Sequence, residues 1–188
     1  VTYQFVDGSD TTSYVAFYNF GDVGQNEDDR IVSGYKYEGA VVPQIQYLSN
    51  NRSIALKDNG FTIYQGSQIP KEVKTIETDK EIVSTFYDDD MVGLVFKNDS
   101  KDKQYTMEVY TTEGKLKFKQ DFNIPYTTIR LSGGNILMYN SSQMCVMNSR
   151  GVQKYLGSVD GTIKDFFKIG MNRYLLVLDS GVDVIKLS

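Results

Sequence analysis

Asp88-Asp89-Asp90 places three carboxylates side by side, and adjacent carboxylates are the chemistry of a hard cation such as Ca²⁺. Successive side chains on a tight turn diverge, however, and seldom converge on one ion. A solvated acidic turn is therefore the stronger reading, and the three residues stand only as weak metal candidates. A second acidic stretch, Asp22-Val23-Gly24-Gln25-Asn26-Glu27-Asp28-Asp29, places oxygens at alternate positions. It lacks the Asp-x-Asp/Asn-x-Asp/Asn-Gly register and the closing bidentate Glu of a calcium loop, and reads as a surface loop.

Nucleophilic chemistry has little to work with. Histidine is absent, which removes the commonest general base and the commonest zinc ligand. The single cysteine, Cys145, lies in the apolar run Met144-Cys145-Val146-Met147 and reads as a small buried hydrophobe. No residue is nominated as catalytic, and no cofactor or metal is implied. Acids from different repeats can meet at a common axis, so a carbohydrate-active hydrolase or lyase working through axial carboxylates stands as the alternative function. The spacing nominates no pair.

Binding chemistry is better represented. The chain is rich in tyrosine, 14 among 188 residues, and Tyr35, Tyr37, Tyr64 and Tyr126, if exposed, would suit a carbohydrate or protein surface. Strand packing is their other reading, and the favoured one. Asn98-Asp99-Ser100 and Asn140-Ser141-Ser142 match the glycosylation sequon, yet at hairpin ends they read as turn formers. The net charge of −4 and the lack of a basic stripe argue against nucleic acid. Lys115, Lys117 and Lys119 alternate with Leu116 and Phe118, the pattern of a strand with a solvated face. No apolar run is long enough for a membrane helix, so the segment is expected not to insert directly.

These residues sit on a repeat. Five apolar strands ending in Asp7, Asp58, Asn98, Asn140 and Asp179 are spaced 51, 40, 42 and 39 positions apart. An insertion from Gly21 to Asp29 accounts for the longer first interval. Each of the first four is followed by a turn, a second apolar strand, another turn and a third strand, and the last by a turn and a second strand. The copy beginning at Thr128 shows a full quartet: Thr128–Leu131, a Gly133-Gly134 turn, Asn135–Asn140, Met144–Met147, the Asn148-Ser149-Arg150-Gly151 turn, and Val152–Gly157. A period near 40 with four short strands is that of a β-propeller blade.

The expected fold is all-β, a propeller of about five four-stranded units, with boundaries near 1–42, 43–81, 82–126, 127–162 and 163–188. Inner strands apolar at consecutive positions predict sheets covered on both faces. The outermost strand of the third unit alternates, which predicts Leu116 and Phe118 inward. The chain opens at the second strand of one unit and closes at the third strand of another. This phase suggests the C-terminal part of a larger propeller, the alternative being a self-closed ring with irregular ends.

The Asn/Asp-turned hairpins, clearest in Leu131-Ser132-Gly133-Gly134-Asn135-Ile136-Leu137-Met138-Tyr139-Asn140, resemble the quinoprotein-like and WD-like propeller superfamily. Within it, the tyrosine-rich, acidic, histidine-free repeats resemble an extracytoplasmic propeller family of Gram-positive clostridia, a domain of unknown function. The resemblance implies an extracytoplasmic domain anchored by an upstream transmembrane helix that is absent from this chain. It transfers no catalytic residue. Tryptophan and the Gly-His and Trp-Asp dipeptides are missing, so neither quinone chemistry nor a standard WD scaffold follows. The expected function is non-enzymatic recognition or scaffolding at the cell surface, with protein or carbohydrate bound through the propeller loops.

Overall fold

Glycine and asparagine turns cut the chain into short antiparallel strands. Gly133 and Gly134 both have positive φ (53° and 73°) and join strands whose last and first residues, Ser132 and Asn135, face each other in register. Such a two-residue turn needs left-handed backbone at both positions, which glycine adopts without steric cost.

The computed structural model describes residues 1–8, 10–21, 30–100 and 102–187. Their strands form five antiparallel sheets. The first holds β1 (Thr2–Asp7), β2 (Asp10–Tyr18) and β3 (Ile31–Glu38). The second holds β4 (Gln44–Leu48), β5 (Arg52–Lys57), β6 (Gly60–Gln65) and β7 (Lys71–Glu77). The third holds β8 (Ile82–Tyr87), β9 (Met91–Lys97), β10 (Tyr105–Thr111) and β11 (Leu116–Phe122). The fourth holds β12 (Thr128–Ser132), β13 (Asn135–Tyr139), β14 (Gln143–Asn148) and β15 (Gln153–Ser158). The fifth holds β16 (Ile163–Lys168), β17 (Arg173–Leu178) and β18 (Val182–Lys186). In every sheet the strands lie in sequence order. No α-helix occurs among the described residues.

The interior strands are buried at consecutive positions, as their apolar runs predict. Every residue of Met91–Phe96 is buried, as are the four residues Met144–Met147, so both faces of those strands are covered. The outer strand departs from expectation. Phe118 is partly buried, but Leu116 is 55% exposed. Sheet twist carries the outermost strand away from whatever covers the middle of the sheet, so an inward-pointing parity there does not guarantee burial.

The chain divides into two compact units. The first comprises Val1–Val83, Asp89–Met91 and Tyr110–Lys115, and the second Ser84–Asp88, Val92–Val109 and Leu116–Ser188. In the first unit, Val15 and Phe17 of β2 pack with Val42, Ala55 and Tyr64. The Lys57 side chain is fully buried in this unit. Its ammonium lies 2.8 Å from Glu77 and 5.0 Å from the Tyr37 ring centroid, two groups that offset the desolvation of the charge. In the second unit, Leu137, Tyr139, Met144 and Val146 of the fourth sheet pack against Ile163, Phe166, Tyr174 and Leu176 of the fifth. Arg130 crosses the same seam. It ion-pairs with Asp165, donates to the Phe166 carbonyl and lies 5.7 Å from the Tyr139 ring centroid.

Cys145 is fully buried, and burial pushes its thiol up to about 12. A raised thiol pKa means that the folded chain holds this proton more tightly than the unfolded chain does. Its contribution is complete below the ordinary value of 9.0 and is lost as the pH climbs toward 12. The stability difference between the native chain and Cys145→Ala should therefore stay constant from pH 6 to 8.5 and shrink above that range. Urea titrations at each pH measure it. In parallel, iodoacetamide at pH 8 should modify Cys145 only after denaturant is added.

Candidate ligand-binding cleft between the fourth and fifth sheets

Side-chain oxygens and amides at strand ends are first of all turn-makers, and most polar residues singled out in the sequence are engaged in this way. Asn140 Oδ1 accepts the Ser142 and Gln143 N–H groups at 2.9 and 2.8 Å, and its Nδ2 donates to the Pro125 carbonyl. Asn98 exchanges hydrogen bonds with Thr106. Asp88, Asp89 and Asp90 form the β8–β9 turn. Asp89 Oδ1 accepts the Ser49 N–H at 2.8 Å, and Thr112 bonds the carbonyls of Asp89 and Asp90. Among the described residues no group of three or more His, Cys, Asp or Glu is arranged to hold a metal ion. The segment Asp22 to Asp29 lies outside the described residues.

The four tyrosines pack rather than project. Tyr64 is fully buried, with its hydroxyl against that of Tyr37; burial and that neighbouring phenol push its pKa up. Tyr35 donates to the Pro70 carbonyl at 2.9 Å and accepts the Glu72 N–H. Tyr126 is half-buried and donates to Ser84 at 2.9 Å. Tyrosines form an open surface elsewhere. Tyr3, Phe5, Tyr14, Tyr18 and Ile31 line a shallow concavity of about 530 Å³ on one face of the first sheet. The opposite face of that sheet packs Val15, Phe17 and Tyr35 onto the second sheet, so both faces have the composition of a packing surface. The basic strand is likewise engaged: Lys119 pairs with Glu108 at 3.0 Å.

The second unit carries a cleft with a different character. Antiparallel register brings the β12–β13 turn, the β14–β15 turn and the start of β15 to one end of the fourth sheet. It brings the end of β16, the start of β17 and the end of β18 to one end of the fifth. Three bonds tie these ends together. Lys168 Nζ donates to the Gly133 carbonyl at 2.9 Å, the Lys168 N–H donates to the Ser132 hydroxyl at 2.9 Å, and Asn135 Nδ2 donates to the Tyr174 hydroxyl. Between them lies a cleft of about 260 Å³, lined by Asn135, Asn148, Lys154, Lys168, Met171, Asn172, Tyr174 and Leu187. Burial pushes the Tyr174 phenol up, with the Asn135 bond acting in the opposite direction, so the phenol is neutral at physiological pH and serves as a hydrogen-bonding group. Asn148 Oδ1 accepts the Arg150 and Val152 N–H groups, which fixes its side chain at the rim. The arrangement offers ammonium groups, amides and a hydroxyl, and no acid–base pair.

None of these lining residues was nominated as a site residue in the sequence, where Asn135 and Asn148 figured only in a strand and a turn. The signal that could have found them is charge read along the strand register. The stretches 131–135, 147–155, 167–175 and 184–187, all at this end, contain Arg150, Lys154, Lys168, Arg173 and Lys186 and no Asp or Glu.

Residues 1–187 match the model of the family of unknown function DUF5711. The chain belongs to that family. No curated protein matches this DUF5711 chain. Among solved structures it is similar to Hsv2 of Kluyvelomyces marxianus, with 11% identity and a TM-score of 0.54 over 98% of this chain and 55% of that one. It is similar to BBS1N, crystallised in complex with ARL6DN, with 12% identity and a TM-score of 0.53 over 100% of this chain and 64% of that one. It is also similar to the WD40 β-propeller domain of Doa1, with 9% identity and a TM-score of 0.50 over 79% of this chain and 56% of that one. The DUF5711 chain thus spans between half and two thirds of these three solved chains. At these identities the likeness concerns the fold, and that fold is the β-propeller, built here from antiparallel blade-like sheets.

Proposed function

We propose that this DUF5711 domain is a non-enzymatic recognition domain that binds its ligand, a protein or a glycan, through the turns at the ends of its sheets. The observation that carries this reading is the cleft between the fourth and fifth sheets. Turns and strand ends converge there on a preformed concavity with amide, hydroxyl and ammonium groups, the few placed polar groups that fix a ligand's orientation. Rigid sheets presenting variable turns are a general solution to recognition, because the turns can change without disturbing the core. Display outside the cell is part of the proposal and rests on the sequence resemblance. Protease added to intact cells of the source organism should cleave the domain, and survival of the domain would exclude that placement.

The test is a glycan and protein array probed with the purified domain and with Asn172→Ala and Lys154→Glu variants of matched melting temperature. Hits of the unaltered domain should weaken at least about tenfold in the variants, which is the loss expected for one charge-assisted or two neutral hydrogen bonds. Hits that persist unchanged in both variants would place recognition elsewhere. Turnover of any arrayed glycan would end the non-enzymatic reading.

A further inference from the structure

We infer that the ligand of this cleft is a uronate, a sugar residue bearing a carboxylate within an acidic glycan; the inference rests on the cleft being a recognition site. The charge distribution is the first reason. The whole chain carries −4, yet the charged side chains that line the cleft are Lys154 and Lys168, with no Asp or Glu among them, and Arg150 follows Asn148 in the adjoining β14–β15 turn. Acids of the same two sheets lie toward the other end, where Asp179 accepts the Thr162 N–H at 3.0 Å. A cleft walled by one sign of charge focuses its field on an incoming ion of the other sign.

The neutral lining is the second reason. Asn135 and Asn172 supply amides, which both donate and accept, as neighbouring sugar hydroxyls require. Met171 and Leu187 supply apolar surface for the C–H face of a ring. Size is the third reason. At about 260 Å³ the cleft lies just below the usual range of small-molecule pockets, roughly 300–1,000 Å³, and so suits one residue of a chain rather than several. A single-stranded nucleic acid would instead want an extended basic groove with exposed aromatic platforms. Here the aromatic ring in the lining, Tyr174, is 3% exposed and offers its hydroxyl edge.

The experiment is calorimetric titration, with parallel NMR shift mapping, of the 188-residue chain with three probes: trigalacturonate, galactotriose and a single-stranded DNA dodecamer. Trigalacturonate should bind, shift the Asn135 and Asn172 side-chain amide signals, and weaken as salt is raised. Galactotriose should bind about tenfold more weakly, the loss of one charge-assisted contact. Lys154→Gln and Lys168→Gln should each weaken trigalacturonate by about the same factor, whereas Lys117→Gln on β11 should leave it unchanged. Lys168 also bonds the Gly133 carbonyl, so Lys154→Gln is the decisive variant if Lys168→Gln lowers stability. Equal binding of galactotriose, shifting the same signals, would keep the cleft as a recognition site and overturn the uronate. Silence from both sugars would overturn the uronate and leave the recognition reading to be decided by the glycan and protein array. Tighter binding of the DNA, with shifts spread over Arg150, Arg173 and Lys186, would make this end a nucleic-acid surface and overturn the inference.

Discussion

Gly60→Ala should lower the stability of the domain by about 3–4 kcal/mol, an effect far larger than that of the same change at Gly134. Gly60 opens β6 after the Asp58-Asn59-Gly60 turn, at φ 144°, and faces Glu77 of β7 in register. A methyl group on its Cα would stand 2.0 Å from the Ile76 carbonyl oxygen and 2.9 Å from the carbonyl carbon. Those atoms belong to the backbone of a paired strand, so relief requires the β6–β7 ladder to shift. The cost combines a backbone region closed to L-residues with a steric clash, each worth roughly 1–3 kcal/mol. Gly134 also has positive φ, at 73°, but nothing lies within 4 Å of its added methyl. Gly134→Ala should therefore cost only about 1 kcal/mol, the conformational penalty alone. For a chain of this size the two variants should melt roughly 10 °C and 3 °C below the parent. Equal shifts in differential scanning calorimetry would show that β7 yields to the methyl group, and that the register at Gly60 is softer than the structure implies.

The second large effect is expected at Phe166, and it reaches the cleft. This ring is fully buried between the fourth and fifth sheets. It is stacked on Tyr174 with centroids 5.5 Å apart and set edge-on to Tyr139 at 6.2 Å. Phe166→Ala removes the ring and leaves a cavity, which in protein cores costs about 3–5 kcal/mol. The main-chain carbonyl that receives Arg130 is untouched by the change, so the loss is one of packing. A melting temperature lower by roughly 8–16 °C should result. Tyr174 would also lose the ring that orients it, and its hydroxyl lines the cleft. Ligand affinity should therefore fall in Phe166→Ala even at temperatures where the variant remains folded, and recover in part in Phe166→Leu. A loss below about 1 kcal/mol would mean that the two sheets close over the gap. Unchanged affinity would mean that Tyr174 is held by Asn135 alone.

Much of the fold was legible before any coordinates, because its causes are local. The predicted strand Asn135–Asn140 is observed as Asn135–Tyr139, and Arg173–Asp179 as Arg173–Leu178. The Asp58-Asn59-Gly60 and Gly133-Gly134 turns fall where glycine alone tolerates the backbone. Cys145 could be read as buried, since its neighbours on both sides are apolar and consecutive apolar residues on a strand need cover on both faces. Antiparallel order in the second to fifth sheets then follows from connections too short to permit a parallel crossover, whereas β2 and β3 of the first sheet pair across the longer connection 19–30.

What the sequence determined by itself was therefore the strands, the turns and the burial of the inner strands, all set by interactions within a few residues. Only the tertiary structure decided where the outer residues stand. It left Leu116 in solvent, buried Tyr64, and spent Asp89 on the Ser49 amide. It also assembled the cleft from Asn135, Lys154, Lys168 and Asn172, residues up to 37 positions apart that no local pattern links. Their meeting depends on how one twisted sheet seats against the next, and the Phe166 seam sets that seating.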